Sequence, residues 1–124
     1  TYERFAAKSR ESAMRLLDLA LECKKKGVRF VGNSCPGRAN TLINFAGITR
    51  ELMPYIAEQP TSLKKGLYLP GMHIPVVDNS ILFEEQPDYV VLLAWHYADA
   101  IAQNLRDRGL RSKLIQPLPE FHIR

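Results

Sequence analysis

The chain has little cysteine. Cys23 and Cys35 are the two cysteines among 124 residues. They form no C-x-x-C pair, and neither has a histidine at a zinc-ligand spacing, so neither a structural zinc site nor a disulfide framework is expected. Long apolar runs are missing too: the longest, such as Tyr89–Trp95, are far too short to cross a bilayer. No basic-then-apolar leader opens the chain, and a cytoplasmic location with no membrane partner is expected. There is no G-x-G-x-x-G, no P-loop and no nucleophile elbow. Glu84, Glu85, Asp88 and Asp99 form no evident acid/base pair, and no Ser–His–Asp order is present. These absences disfavour a dinucleotide enzyme and leave no catalytic constellation within the chain.

What is present is ordinary globular composition, 46% hydrophobic and 24% charged. The length suits one core, so a single domain over 1–124 is expected. The net charge of +4 mildly favours anionic ligands. The basic residues are spread along the chain, which argues against a nucleic-acid partner. Lys24, Lys25 and Lys26 form the one run, where a helix should end. Cations there complement the negative end of the helix dipole.

Apolar residues at Ala13, Leu16, Leu17, Ala20 and Leu21 repeat at helical spacing, predicting one helix from Tyr2 to Lys26 that stops at Gly27. A strand is expected over Val28–Val31, a turn over Gly32–Pro36 and a helix over Gly37–Ala46. Further strands are expected at Pro54–Glu58, Ile74–Val77, Tyr89–Trp95 and Lys113–Gln116, with helices over Asn79–Glu85 and His96–Arg108. The run Tyr89–Trp95 has the near-continuous apolar character of a parallel strand buried on both faces. Alternating strands and helices predict an α/β fold: a Rossmann-like three-layer αβα architecture with a mostly parallel sheet of about five strands and a long leading helix.

In such sheets ligands sit beyond the carboxyl ends of the strands. That rule selects Asn33, Ser34 and Cys35 after the first strand, Glu58 and Gln59 after the second, and Trp95, His96 and Tyr97 after the fourth. Arg38, Asn40 and Thr41 add polar groups at the next helix start, where free N–H groups favour an anion. Arg38 suits a bidentate contact to one. The long connection before Ile74 carries Lys65, Tyr68 and His73, and long connections are often functional. The expected substrate-binding set is therefore Asn33, Ser34, Arg38, Asn40, Thr41, Lys65, Tyr68, His73, Trp95 and His96. Each has a bland alternative: a tight unliganded turn, a structural loop histidine, or aromatics that plug the sheet edge.

Four segments in order, GNSCPGRANTLINFAGI, KKGLYLPGMHIPV, PDYVVLLAWHYADAI and LIQPLPE, resemble the carboxy-terminal domain of the SAM-dependent C-methyltransferases that act on nucleotide-linked deoxysugars. The resemblance runs from about Tyr2 to Glu120. The family turn is usually G-Y-G-A-x-x-K-G-N-T. Gly32, Cys35, Arg38, Ala39, Asn40 and Thr41 stand at its places, with Arg for Lys and Ala for Gly. Asn33 and Ser34 replace the usual Tyr and second Gly, and His96 stands where Asn usually follows the Trp. The resemblance implies that this chain is part of a longer enzyme, whose preceding methyltransferase domain is its partner. It implies that S-adenosylmethionine and a zinc site belong to that other part, that no cofactor is bound here, and that a nucleotide-sugar-like small molecule is the substrate. The departures at Asn33, Ser34 and His96 motivate the alternative of a stand-alone Rossmann-like binding or interaction module without catalysis.

Overall fold

The structure is a computed structural model. It describes residues 2–34, 37–58, 68–69, 74–118 and 121–124, giving the backbone alone for 2–6, 8, 37–41 and 68–69. Helix α1 spans Tyr2–Lys26. It is followed by β1 (Phe30–Asn33), α2 (Gly37–Ala46), β2 (Ile56–Glu58), β3 (Tyr68–Leu69) and β4 (Ile74–Asp78). Then come α3 (Ser80–Glu85), β5 (Tyr89–Leu92), a 3-10 turn (Trp95–Tyr97), α4 (Ala98–Asp107), β6 (Lys113–Gln116) and β7 (His122–Ile123).

Seven strands among the described residues form one sheet in the order β3-β4-β2-β1-β5-β6-β7. The five strands from β4 to β6 are parallel, while β3 and β7 pair antiparallel to the edges. The parallel strands, taken in chain order, run 3-2-1-4-5, the doubly wound order of the Rossmann type. The mixed α/β, Rossmann-like expectation holds, and the two short edge strands are additions to it.

Side-chain alternation along the strands divides the core into two layers. Phe30, Ile56, Val76, Val91 and Ile115 face α1 and α2. Val31, Ala57, Val90, Leu92 and Leu114 face α3 and α4. Val90, Val91, Leu92 and Leu93 are all fully buried, because β5 lies between two strands and two helix layers.

Each long helix is closed in the same way. Val28 N–H donates to Cys23 O and Gly27 N–H to Lys24 O, with Gly27 at φ +73. This Schellman closure needs a left-handed residue, and glycine adopts it without a Cβ penalty. The same pair of bonds recurs at Gly47 and Gly109. The shorter α3 ends on Gln86, also left-handed. The Gln86 side chain then serves as a tie. Its amide donates to Phe83 O and Gly109 O and accepts from Arg111 N–H, pinning the loop before β6.

The expected β1 shifts by two residues. The Gly27 closure holds Val28, and the ladder begins at Phe30. Gly32 and Asn33, expected in a turn, are strand residues because they pair on both sides, Gly32 with Ile56 and Val91 and Asn33 with Ala57 and Leu92. The strand expected over Tyr89–Trp95 ends at Leu92, since Trp95–Tyr97 curls into the 3-10 turn and α4 starts only at Ala98. The tail after Gln116 folds back as β7.

Helix α1 runs against the strand direction. Its carboxyl end carries Cys23 beside Asp88 and Tyr89 at the amino edge of the sheet. Higher up, the Arg15 guanidinium sits 5.7 Å from the Phe121 ring, near the carboxyl end of β6. At 1.5 Å per residue, the turns before Ala13 extend roughly 16 Å beyond that level. The leading helix therefore stands beside the carboxyl edge as well as covering the sheet.

Gly32 is the tightest point of the core. A Cβ there would lie 2.9 Å from Leu93 Cδ1, 3.2 Å from Ile56 Cγ1 and 3.2 Å from Met53 Sδ. All three neighbours are fully buried, so none can swing aside into solvent. Gly32→Ala is expected to lower stability by about 1–3 kcal/mol, the usual cost of overpacking, read as a lower urea midpoint with unchanged m-value.

Candidate functional site

The strand order reverses between β1 and β5. β1 leads through α2 to β2 on one side, and β5 leads through α4 to β6 on the other. Ligands of such sheets sit beyond this switch, where Ser34 follows β1 and Leu93, Ala94 and Trp95 follow β5. Leu93 N–H donates to Asn33 O at 3.2 Å, joining the two strand ends. Alternation from Val31 puts Asn33 on the α3–α4 face, where it is 5% exposed.

Ser34 has φ +68. A non-glycine residue is uncommon in this region, and holding it there costs on the order of 1–2 kcal/mol. Its N–H donates to Ala57 O, so the left-handed conformation is fixed by the β1–β2 pairing. The chain then reaches α2, whose first turn contains no acidic residue. The first N–H groups of a helix have no partner within it and carry partial positive charge.

The expected site residues fall into three groups. Asn33 and Ser34 lie at the end of β1, and Trp95 and His96 lie in the 3-10 turn after β5, all at the carboxyl edge. The half-buried Trp95 packs on the α1–α2 core, while His96 is exposed. Their rings are 5.9 Å apart, tilted by 42°. Arg38, Asn40 and Thr41 lie in the first half of α2, and Tyr68 lies in β3, each described by backbone alone. Lys65 and His73, like Cys35 and Gln59, are outside the described residues. Glu58 ends β2 and is partly buried.

A groove of about 360 Å³ continues from Trp95 along the 3-10 turn. It is lined by His96, Tyr97, the first turn of α4, Gln116, His122 and Arg124. Arg124 pairs with Asp99 and with Gln116 Oε1, while Gln116 Nε2 donates to Leu118 O. Sequence reasoning placed Tyr97 after the fourth strand but had no means of adding Gln116, His122 and Arg124. Two residues of β7 are too few for strand alternation to be read.

The opposite, amino edge carries a structural polar cluster. Glu85 accepts the Tyr55 hydroxyl at 3.0 Å and pairs with Arg29 at 3.4 Å. Burial first, then Glu85, pushes the Tyr55 hydroxyl well above the usual tyrosine range. Asp88 accepts Arg29 N–H at 2.9 Å. A second hollow of about 210 Å³ lies here, with Cys23 in its wall. Burial, followed by the charges of Asp88 and Glu22, raises the Cys23 thiol from 9.0 to about 11. A thiol of that kind is a poor nucleophile at neutral pH.

Among the described residues no cluster of three or more His, Cys, Asp or Glu is placed to hold a metal ion. No helix among them is long and apolar enough to cross a membrane. The carboxyl edge offers a helix start, a buried amide and aromatic faces, which are means of binding.

Over residues 1–119 the chain matches the family described as C-methyltransferase C-terminal domain. It is also similar to C-methyltransferase NovU of Streptomyces niveus, with 29% identity over 126 residues. That alignment covers 98% of this chain and 29% of that protein, so the chain spans less than a third of its relative's length.

The Cys23 environment has a consequence for stability. Its folded-state value is raised, so the neutral thiol stabilises the fold below about pH 9, and that contribution is lost as pH climbs toward 11. The urea midpoint should fall between pH 9 and 11, and fall less steeply in Cys23→Ala than in the parent chain. Parallel slopes in the two proteins would contradict this account.

Proposed function

The chain belongs to the C-methyltransferase C-terminal domain family, and from that premise we propose that it is the substrate-facing domain of a SAM-dependent C-methyltransferase acting on a nucleotide-linked sugar or related metabolite. S-adenosylmethionine, held by a methyltransferase domain outside this chain, supplies the methyl group for a sugar carbon made nucleophilic beside a keto group. This chain contributes binding and orientation, and the base that removes the proton lies elsewhere. A zinc site, where the full enzyme has one, also lies elsewhere.

The observation that carries the reading is what gathers at the switch in strand order: an α2 first turn with no acidic residue, Asn33 buried on the α3–α4 face and half-buried Trp95 all lie at the carboxyl edge. Backbone N–H groups there suit a phosphate, and Arg38 in the first turn is the cation to hold its charge. Asn40, Thr41, Lys65, Tyr68, His73 and His96 complete the proposed substrate set.

The same turn does not fit the cofactor. Gly32 is consumed by packing against Leu93, Ile56 and Met53, and Gly37 opens α2. Ser34 stands where the second glycine of G-x-G-x-x-G would let a nucleotide cofactor approach the backbone. The reach of α1 beyond the sheet edge gives the preceding domain a surface to meet, and Met14 on that helix is largely exposed.

Two measurements test the proposal. The 124-residue chain should show no SAM binding by calorimetry at micromolar concentrations, and a micromolar dissociation constant would reject the division of labour. In the full-length enzyme, Arg38→Ala should weaken nucleotide-sugar binding by about 1.5–3 kcal/mol, the usual worth of a charged hydrogen bond. Unchanged affinity would remove Arg38 from the site.

A further inference from the structure

After β6 the chain crosses from one helix layer toward the other, and the two ends of that crossing are held differently. At the near end the Phe121 ring is half-buried, packed against the α1–α2 core with the Arg15 guanidinium over it. At the far end the holding contacts converge on Arg124. Its backbone N–H donates to Leu114 O at 2.7 Å, and its carbonyl accepts from Leu114 N–H at 3.2 Å and from Arg106 Nη2 at 3.4 Å. Its guanidinium pairs with Asp99, in the first turn of α4, and donates to Gln116 Oε1 at 3.1 Å. Between these ends His122 and Ile123 are both exposed.

Water competes with the two ends unequally. The Phe121 packing is lost only by exposing a ring to solvent. The Asp99 side chain is 92% exposed, and exposed ion pairs contribute little because water and salt screen them. β7 has two residues at the edge of the sheet, and among the described residues no strand pairs with its outer side. Segments with few buried apolar contacts and exposed backbone hydrogen bonds open locally while the core stays folded. Here such an opening has a consequence, since His122 and Arg124 form a wall of the groove that runs from Trp95 along the 3-10 turn.

We propose that residues 121–124 are a strap over the carboxyl edge, pivoted at Phe121 and latched by Arg124 on Asp99, and that release of the latch uncovers the groove. As a gate the strap rests on the reading of this edge as the substrate side. Its opening and closing are properties of the chain alone.

Two neighbouring amides report on it. Leu114 N–H bonds to the strap at Arg124 O, whereas Ile115 N–H turns the other way, toward β5. Hydrogen exchange of the 124-residue chain, followed by NMR, should show Leu114 at least about tenfold less protected than Ile115, because strap opening frees one amide and only opening of the sheet frees the other. Leu114 exchange should also respond little to low urea, since a local opening exposes little surface. Asp99→Asn and Arg124→Gln should each speed Leu114 exchange by about two- to fivefold, the range of an exposed ion pair. Phe121→Ala should speed Ile115 and leave Leu114 unchanged, because the pivot stays packed when the latch opens. The strap is refuted if Leu114 and Ile115 share one protection and one urea dependence, if either latch substitution leaves Leu114 unchanged, or if Phe121→Ala speeds both amides alike. None of these measurements uses substrate, so such a result leaves the substrate reading standing.

Discussion

The whole arrangement depends on how closely β1 is packed between its neighbours. β1 is paired along its length with β5 and at its carboxyl end with β2. At Gly32 the α1–α2 face comes so near that Leu93, Ile56 and Met53 occupy the space of a side chain. Those three lie just after β5, in β2 and in the loop before β2. One missing Cβ thus lets three separate pieces of chain converge on the middle of the sheet. The same convergence holds Asn33 and Leu93 together through one backbone hydrogen bond, at the point where the strand order reverses. Core packing and site geometry are here consequences of a single contact.

The two ends of the sheet are built differently. At the amino edge, charged and polar groups are satisfied by each other: Glu85 by Tyr55 and Arg29, Asp88 by the Arg29 amide, Gln86 by three backbone groups. Such a cluster ties elements together and leaves little for a ligand. At the carboxyl edge the chain presents a helix whose first turn has no acidic residue, a left-handed serine and an exposed tyrosine.

Much of the fold was legible in the residues, for identifiable reasons. The heptad-like apolar spacing of α1, the glycines that close three helices and the apolar run at Tyr89 each act locally, over one turn or one strand. A local signal survives without knowledge of what packs against it. The candidate site was legible only in part. Asn33, Ser34, Trp95 and His96 follow from the rule that ligands gather beyond strand ends, since the rule needs only strand order. Gln116, His122 and Arg124 could not be found that way. They line a groove only because β7, beyond the end of β6, pairs back against it.

The sequence by itself determined the α/β class, the helix ends and the residues that stand at the carboxyl ends of the strands. It did so because periodicity, positive-φ glycines and strand polarity are written in runs of neighbouring residues. Only the tertiary structure decided that Gly32 serves packing instead of a ligand and that Gly32 and Asn33 belong to the strand. It alone decided that Tyr97 overlooks a hollow closed by β7. Each of those depends on contacts between residues far apart in the chain, and a backbone position is strand, turn or site according to what the rest of the chain brings against it.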